Sequence, residues 1–147
     1  MAPRACEYYA PLGGMETSLQ VPARIRDVSR WEEHCRKIHA RARDLVDGKL
    51  TLMQAAEAIH KLAIWTLATD DPDLAVFGKM LRDSVGLPIG AERQYWSMAA
   101  LEREALRIQA WEDRWKALAL ATAHRLIKKY RWALAARQRR RRTGHAV

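Results

Sequence analysis

The sequence predicts an all-α fold, a small bundle of about four helices ending in a long basic one. Three observations carry this. No alternating apolar and polar run of useful length occurs, so strands are not expected. Apolar residues recur at helical spacing in four segments, each opened by a capping signal. From Ala91 to Thr143 there is neither Gly nor Pro, which leaves a long stretch without a helix breaker.

The first helix is expected to open at "SRWE", where Ser29 and Glu32 have capping-box spacing. It should run to about Asp47, with Gly48 free to take the left-handed conformation that ends helices. A second capping box, Thr51 with Gln54, opens the next, and Ala55, Ile59, Leu62 and Ala63 form its stripe. In "DDPD", Asp71 is an N-cap and Pro72 occupies N1, where its missing N–H costs nothing. Leu74, Phe77, Met80 and Leu81 follow at helical spacing, and Gly86 ends that helix. Pro88 and Gly90 make a turn before a short helix near Ala91–Trp96. Ser97 then caps a helix reaching about Arg140, with Leu101, Ala105, Ile108, Trp115, Ala119 and Leu126 near one face. Forty-odd residues at 1.5 Å each span about 60–65 Å, against about 38 Å for a compact domain of this size. The helix is therefore expected either to break around Ala117–Ala123 or to project its basic end beyond the body.

At 147 residues the chain fits one domain and can bury a core unaided by metals or disulfides. Residues 1–26, with Pro3, Pro11, Gly13, Gly14 and Pro22, read as a flexible N-terminal arm, and Met15 offers an alternative start. Residues 27–136 read as the helical domain, and 137–147 as a disordered Arg-rich tail. The net charge is +9, and it is unevenly placed: residues 125–147 hold nine bases and no acid, leaving 17 bases against 17 acids elsewhere. The N-terminus has no apolar core of a signal peptide, and no apolar run is long enough to span a membrane. With Cys6 and Cys35 unpaired in any motif, a cytoplasmic location is expected.

No catalytic residue, metal or cofactor is expected. Nucleophile elbows, phosphate-binding loops and paired cysteine motifs are missing from the sequence, so it reads as a non-enzyme. Cys35 with His39, and Glu57 with His60, have ligand spacing, yet each pair falls short of a complete set. Trp31, Trp65, Trp111 and Trp115 read as core. On a straight wheel Trp132 falls opposite Tyr130 and Ala133, among Arg125, Lys128, Lys129 and Arg139. An aromatic on a basic face can stack on an unpaired base while cations hold phosphates. The leading expectation is thus a protein that contacts a polyanion, with nucleic acid first, through Arg125, Lys128, Lys129, Trp132, Arg139, Arg140, Arg141 and Arg142. The alternative is a protein-interaction module, an inhibitor or immunity-type protein, binding a cognate partner through its helical body near Arg93 and Trp96.

Leu87, Pro88, Gly90, Arg93 and Trp96 form a Leu-Pro-x-Gly-x-x-Arg-x-x-Trp motif, followed by Ala100 and Leu101. Over about Leu45–Tyr130 the chain resembles a family of small bacterial helical proteins of unknown function that share this signature. The resemblance implies a helical fold and a bacterial source, and no activity. In physical terms, the motif reads as a corner locking the third helix against the fourth, or as a small site with Arg93 at a helix start.

Overall fold

The computed structural model describes residues 20–89 and 91–136. Its elements are α1 (Val28–Val46), α2 (Leu52–Trp65), α3 (Pro72–Asp83), a 3₁₀ helix (Ala91–Tyr95) and α4 (Met98–Lys129). The fold is all-α, and no strand occurs among the described residues. Each helix packs on the next, and α4 closes the ring on α1. Neighbours run antiparallel: Trp31 near the start of α1 stacks on Trp132 just past the end of α4, while Asp71 and Asp73 at the start of α3 meet Lys129 and Arg125 at the end of α4.

Local chemistry sets the helix ends. The capping box of α2 is complete, with Gln54 N–H donating to Thr51 Oγ1 at 3.1 Å and Thr51 N–H to Gln54 Oε1 at 3.0 Å. Asp71 caps α3, its carboxylate accepting from Asp73 N–H at 2.9 Å, and Ser97 caps α4 through Ala100 N–H at 3.1 Å. Gly48 follows α1 with φ 77°. The start of α1 departs from expectation. Asp27, not Ser29, is the N-cap, accepting from Arg30 N–H at 3.0 Å. Asp caps at least as well as Ser, and the earlier cap adds two helical residues.

The interior is filled by Ile38, Ile59, Leu74, Phe77, Met80, Trp111 and Leu126, all fully buried or nearly so. Beyond them, Leu87 is buried, and Val21 and Ile25 pack partly against the core. The last part of the expected N-terminal arm is thus attached to the body; residues 1–19 and 137–147 lie outside the described residues.

The long helix departs most from the wheel. It does not reach Arg140, nor break at Ala117–Ala123; it ends at Lys129, with Tyr130 as C-cap. Ala133 N–H donates to Tyr130 O and Leu134 N–H to Arg131 O, both at 3.1 Å, before residues 132–136 resume a helical turn. This reset brings Trp132 inward beside Ala133 and Ala136. A buried Trp is worth about 3–5 kcal/mol by truncation, against about 1 kcal/mol for each backbone bond loosened. Packing therefore decides where the helix stops.

Among the described residues the end of α4 that projects is its N-terminal one; the expected projection of the basic end falls largely on residues 137–142, outside the described residues. The two ends of α3 bind α4 near Arg125–Lys129 and near Trp111–Trp115. α4 is about 48 Å long and α3 about 18 Å, at 1.5 Å per residue. The first buried residue of α4 is Trp111, so residues 98–110, about 20 Å of helix, extend past the packed body. The chain between α3 and α4 climbs to meet their start.

Candidate functional site

The basic end of α4 is largely engaged within the molecule. Arg125 Nε pairs with Asp73 at 2.9 Å and its guanidinium also donates to Thr122 Oγ1 at 3.1 Å. The Lys129 ammonium is paired with the Asp71 carboxylate. Lys128 is exposed. Arg139, Arg140, Arg141 and Arg142 lie outside the described residues. Trp132 is 4% exposed, its ring centroid 5.4 Å from that of Trp31 at an interplanar angle of 28°. The wheel that set its indole on the solvent side assumed a straight helix; the reset after Tyr130 removes that placement. A base cannot stack on an indole already stacked inside the core.

Arg93 and Trp96 are both exposed, at the end of the turn the motif predicted. Trp96 N–H donates to the Arg93 carbonyl at 3.1 Å. This backbone contact closes the 3₁₀ turn. Beside them Tyr95 is 82% exposed, Met98 73% and Leu106 84%. Leu101 and Ile108 are half-buried, and Ala105 is exposed. The apolar stripe of α4 therefore continues past Trp111 with only partial cover, and Leu106 adds an exposed apolar side chain on the opposite side of the helix.

At the other end, Trp65 closes α2 and is 46% exposed, not core as expected. Its ring lies 5.1 Å from the His34 imidazole, and the Lys61 ammonium sits 4.8 Å from its centroid. Arg30, His34 and Trp65 line an open groove of about 350 Å³. The His34 pKa is lowered by partial burial, then by Lys37 and Arg30, with Glu33 opposing. The helix closes just after Trp65. Leu67 N–H donates to Ile64 O at 3.2 Å and Ala68 N–H to Ala63 O at 2.9 Å, a Schellman closure with Leu67 at φ 54°. A Leu in that role, where Gly is usual, hides the stop signal from sequence reading.

The sequence-level ligand pairs resolve differently. Cys35 and His39 are both buried in α1. Burial, and then Glu32, push the Cys35 thiol up to about 12, so it stays protonated and unreactive. Burial, then Arg43 and Arg131, lower His39 and favour its neutral form. Among the described residues no three His, Cys, Asp or Glu side chains gather as metal ligands. No described helix is long and apolar enough to cross a membrane.

No protein-family model, curated protein or solved structure gives a significant match to this chain.

Proposed function

We propose that the chain is a helical interaction module that binds a protein partner through the projecting half of α4 and the turn before it. The observation that carries this is the surface of residues 98–110, none of which is buried although the segment keeps the apolar stripe of the packed half. Large exposed apolar side chains gathered on one feature mark contact surfaces on folded proteins. Tyr95, Trp96 and Met98 supply the bulky anchors on which interfaces concentrate binding energy. Arg93, beside them, supplies a polar rim. The charges of the segment alternate in sign, Glu102, Arg103, Glu104 and Arg107, which suits a protein surface better than a polyanion.

Polyanion binding by the end of α4 has less support, since Arg125 and Lys129 already hold acids of α3 and Trp132 is inside. The test compares parent protein with a Met98→Glu, Leu106→Arg double variant as baits in nuclease-treated lysate. The reading expects a partner retained by the parent and lost by the variant, whose melting temperature stays unchanged. Retention by both, or loss only when residues 137–147 are removed, would put the interface elsewhere.

A further inference from the structure

The feature sought at Trp132, an aromatic ring open to solvent among cations, exists at Trp65. We propose that the groove formed by Trp65, His34 and Arg30 is a stacking site for an unpaired base of single-stranded nucleic acid. Lys61 and Lys37 flank it and hold the adjoining phosphates.

The argument rests on what surrounds the indole. Trp65 is the last residue of α2 and half open to water. Antiparallel packing sets that end of α2 beside the first turns of α1, which carry Arg30, His34 and Lys37. The Lys61 ammonium, one turn before Trp65, already lies over the ring at 4.8 Å. An exposed cation–π pair is worth only about 0.5–1 kcal/mol, whereas stacking a base on an aromatic side chain is worth about 1–3 kcal/mol. A base therefore displaces the ammonium, and the flexible lysine stem lets the charge move to the neighbouring phosphate. His34 walls the groove at 5.1 Å, tilted by 36°.

The cations Arg30, Lys37 and Lys61 outnumber the acids beside the groove whose partners are known, Asp27 and Glu33, and Glu57 lies one turn before Lys61 on α2. Glu33 is ion-paired with Arg36 at 3.5 Å, and Asp27 caps α1 by accepting from Arg30 N–H at 3.0 Å. An acidic peptide would use the cations and leave the indole idle. A base with its phosphates uses both. The site is separate from the projecting half of α4 and does not depend on the role proposed for it.

The test uses the full-length chain and fluorescence anisotropy with an oligothymidine strand, the corresponding duplex, and anionic phosphatidylserine vesicles. The parent should prefer single strand over duplex. Trp65→Ala should weaken single-strand binding about tenfold, within the range for one stacked base, and leave the salt slope unchanged. Lys61→Gln should flatten the slope of log affinity against log salt by about 0.7, the value for one phosphate of a single strand. Trp132→Phe should bind like the parent. Because Trp65 is half exposed, Trp65→Ala should melt within a few degrees of the parent, so loss of binding is not loss of fold. Equal binding of strand and duplex that ignores Trp65 would overturn the proposal and leave only polycation attraction. So would vesicle binding with the same dependence on Trp65, which would make the indole an anchor in a lipid surface.

Discussion

The two halves of α4 share one hydrogen-bonded backbone and live in different surroundings. From Trp111 to Lys129 the helix buries Trp111, Ala119, Thr122, Ala123 and Leu126. Side chains of α3 hold it at both ends of that stretch: Asp83 accepts from Arg114 at 2.6 Å and from Trp115 at 2.7 Å, and Asp73 and Asp71 meet Arg125 and Lys129. From Met98 to Ala110 no residue is buried. That half is held by local means: the Ser97 cap, the Glu104–Arg107 pair at 2.6 Å, and a run of strong helix formers, "MAALEREALR". One half is helical because it is packed, the other because its sequence favours a helix before anything covers it.

The largest effect should separate the halves outright. Trp111 is fully enclosed and donates its indole N–H to Met80 O at 3.1 Å. Trp111→Ala should cost about 3–5 kcal/mol in denaturant unfolding. Leu106→Ala, in the exposed half, should stay within about 0.5 kcal/mol. A cost above about 1 kcal/mol for Leu106→Ala would mean that this half is covered in solution, and the comparison would fail.

A smaller effect tests the contacts of the packed half. Asp71 both caps α3 and pairs with Lys129. Asp71→Ala should lose about 1–2 kcal/mol, chiefly the cap. Asp71→Asn keeps a capping oxygen and should lose under about 1 kcal/mol, because a partly exposed ion pair contributes little. If the two variants cost the same, the ion pair rather than the cap ties α3 to α4.

Much of the fold was legible in the sequence, and what was missed has a common cause. Thr51, Asp71 and Ser97 each carry a local signal, a side-chain oxygen placed to accept from a nearby backbone N–H, and all three cap as expected. Periodicity does not reveal where a neighbour ends. The stripe through Leu101 and Ile108 looks the same on a wheel as the stripe through Ala119 and Leu126, yet only the second is buried. The length argument required projection or breakage, but the charge run drew attention to the basic end and away from residues 98–110. Trp132 was misplaced because the reset after Tyr130 has no Gly or Pro to announce it. Trp65 was misread because an amphipathic helix does not show how far its neighbours reach, and at the last residue of α2 the cover gives out.

Asp83 offers a pH test on the same contacts. The Trp115 indole N–H, together with Arg114, holds its carboxyl below the ordinary aspartate value, against a smaller opposing effect of desolvation. A lowered folded-state pKa means that the contribution is present above the unfolded value and is lost as pH falls through the folded one. In a carboxyl-carbon NMR titration, Asp83 should titrate below a typical aspartate, and Trp115→Phe should move it upward. No movement would show that the indole bond does not persist in solution.

The smallest expected effect examines the reset itself. Trp132 Nε1 is buried with no hydrogen-bond partner among the described residues, unlike Trp111 Nε1, which reaches Met80 O. An unsatisfied buried donor costs about 1–3 kcal/mol. Trp132→Phe removes that donor and keeps an aromatic ring against Trp31, at the expense of a small cavity. The two terms are of similar size and opposite sign, so the net change should be within about 1 kcal/mol. Trp111→Phe creates a comparable cavity and relieves no such penalty, while Met80 O loses the indole and keeps the Ser84 N–H at 3.1 Å, so it should cost about 1–3 kcal/mol more than Trp132→Phe. The comparison uses the same chemical change at two buried indoles on the same run of chain, one before the reset and one after it. Equal losses at both sites would mean that Trp132 has a partner in solution, and that the chain after Tyr130 follows a different path from the one that turns Trp132 inward.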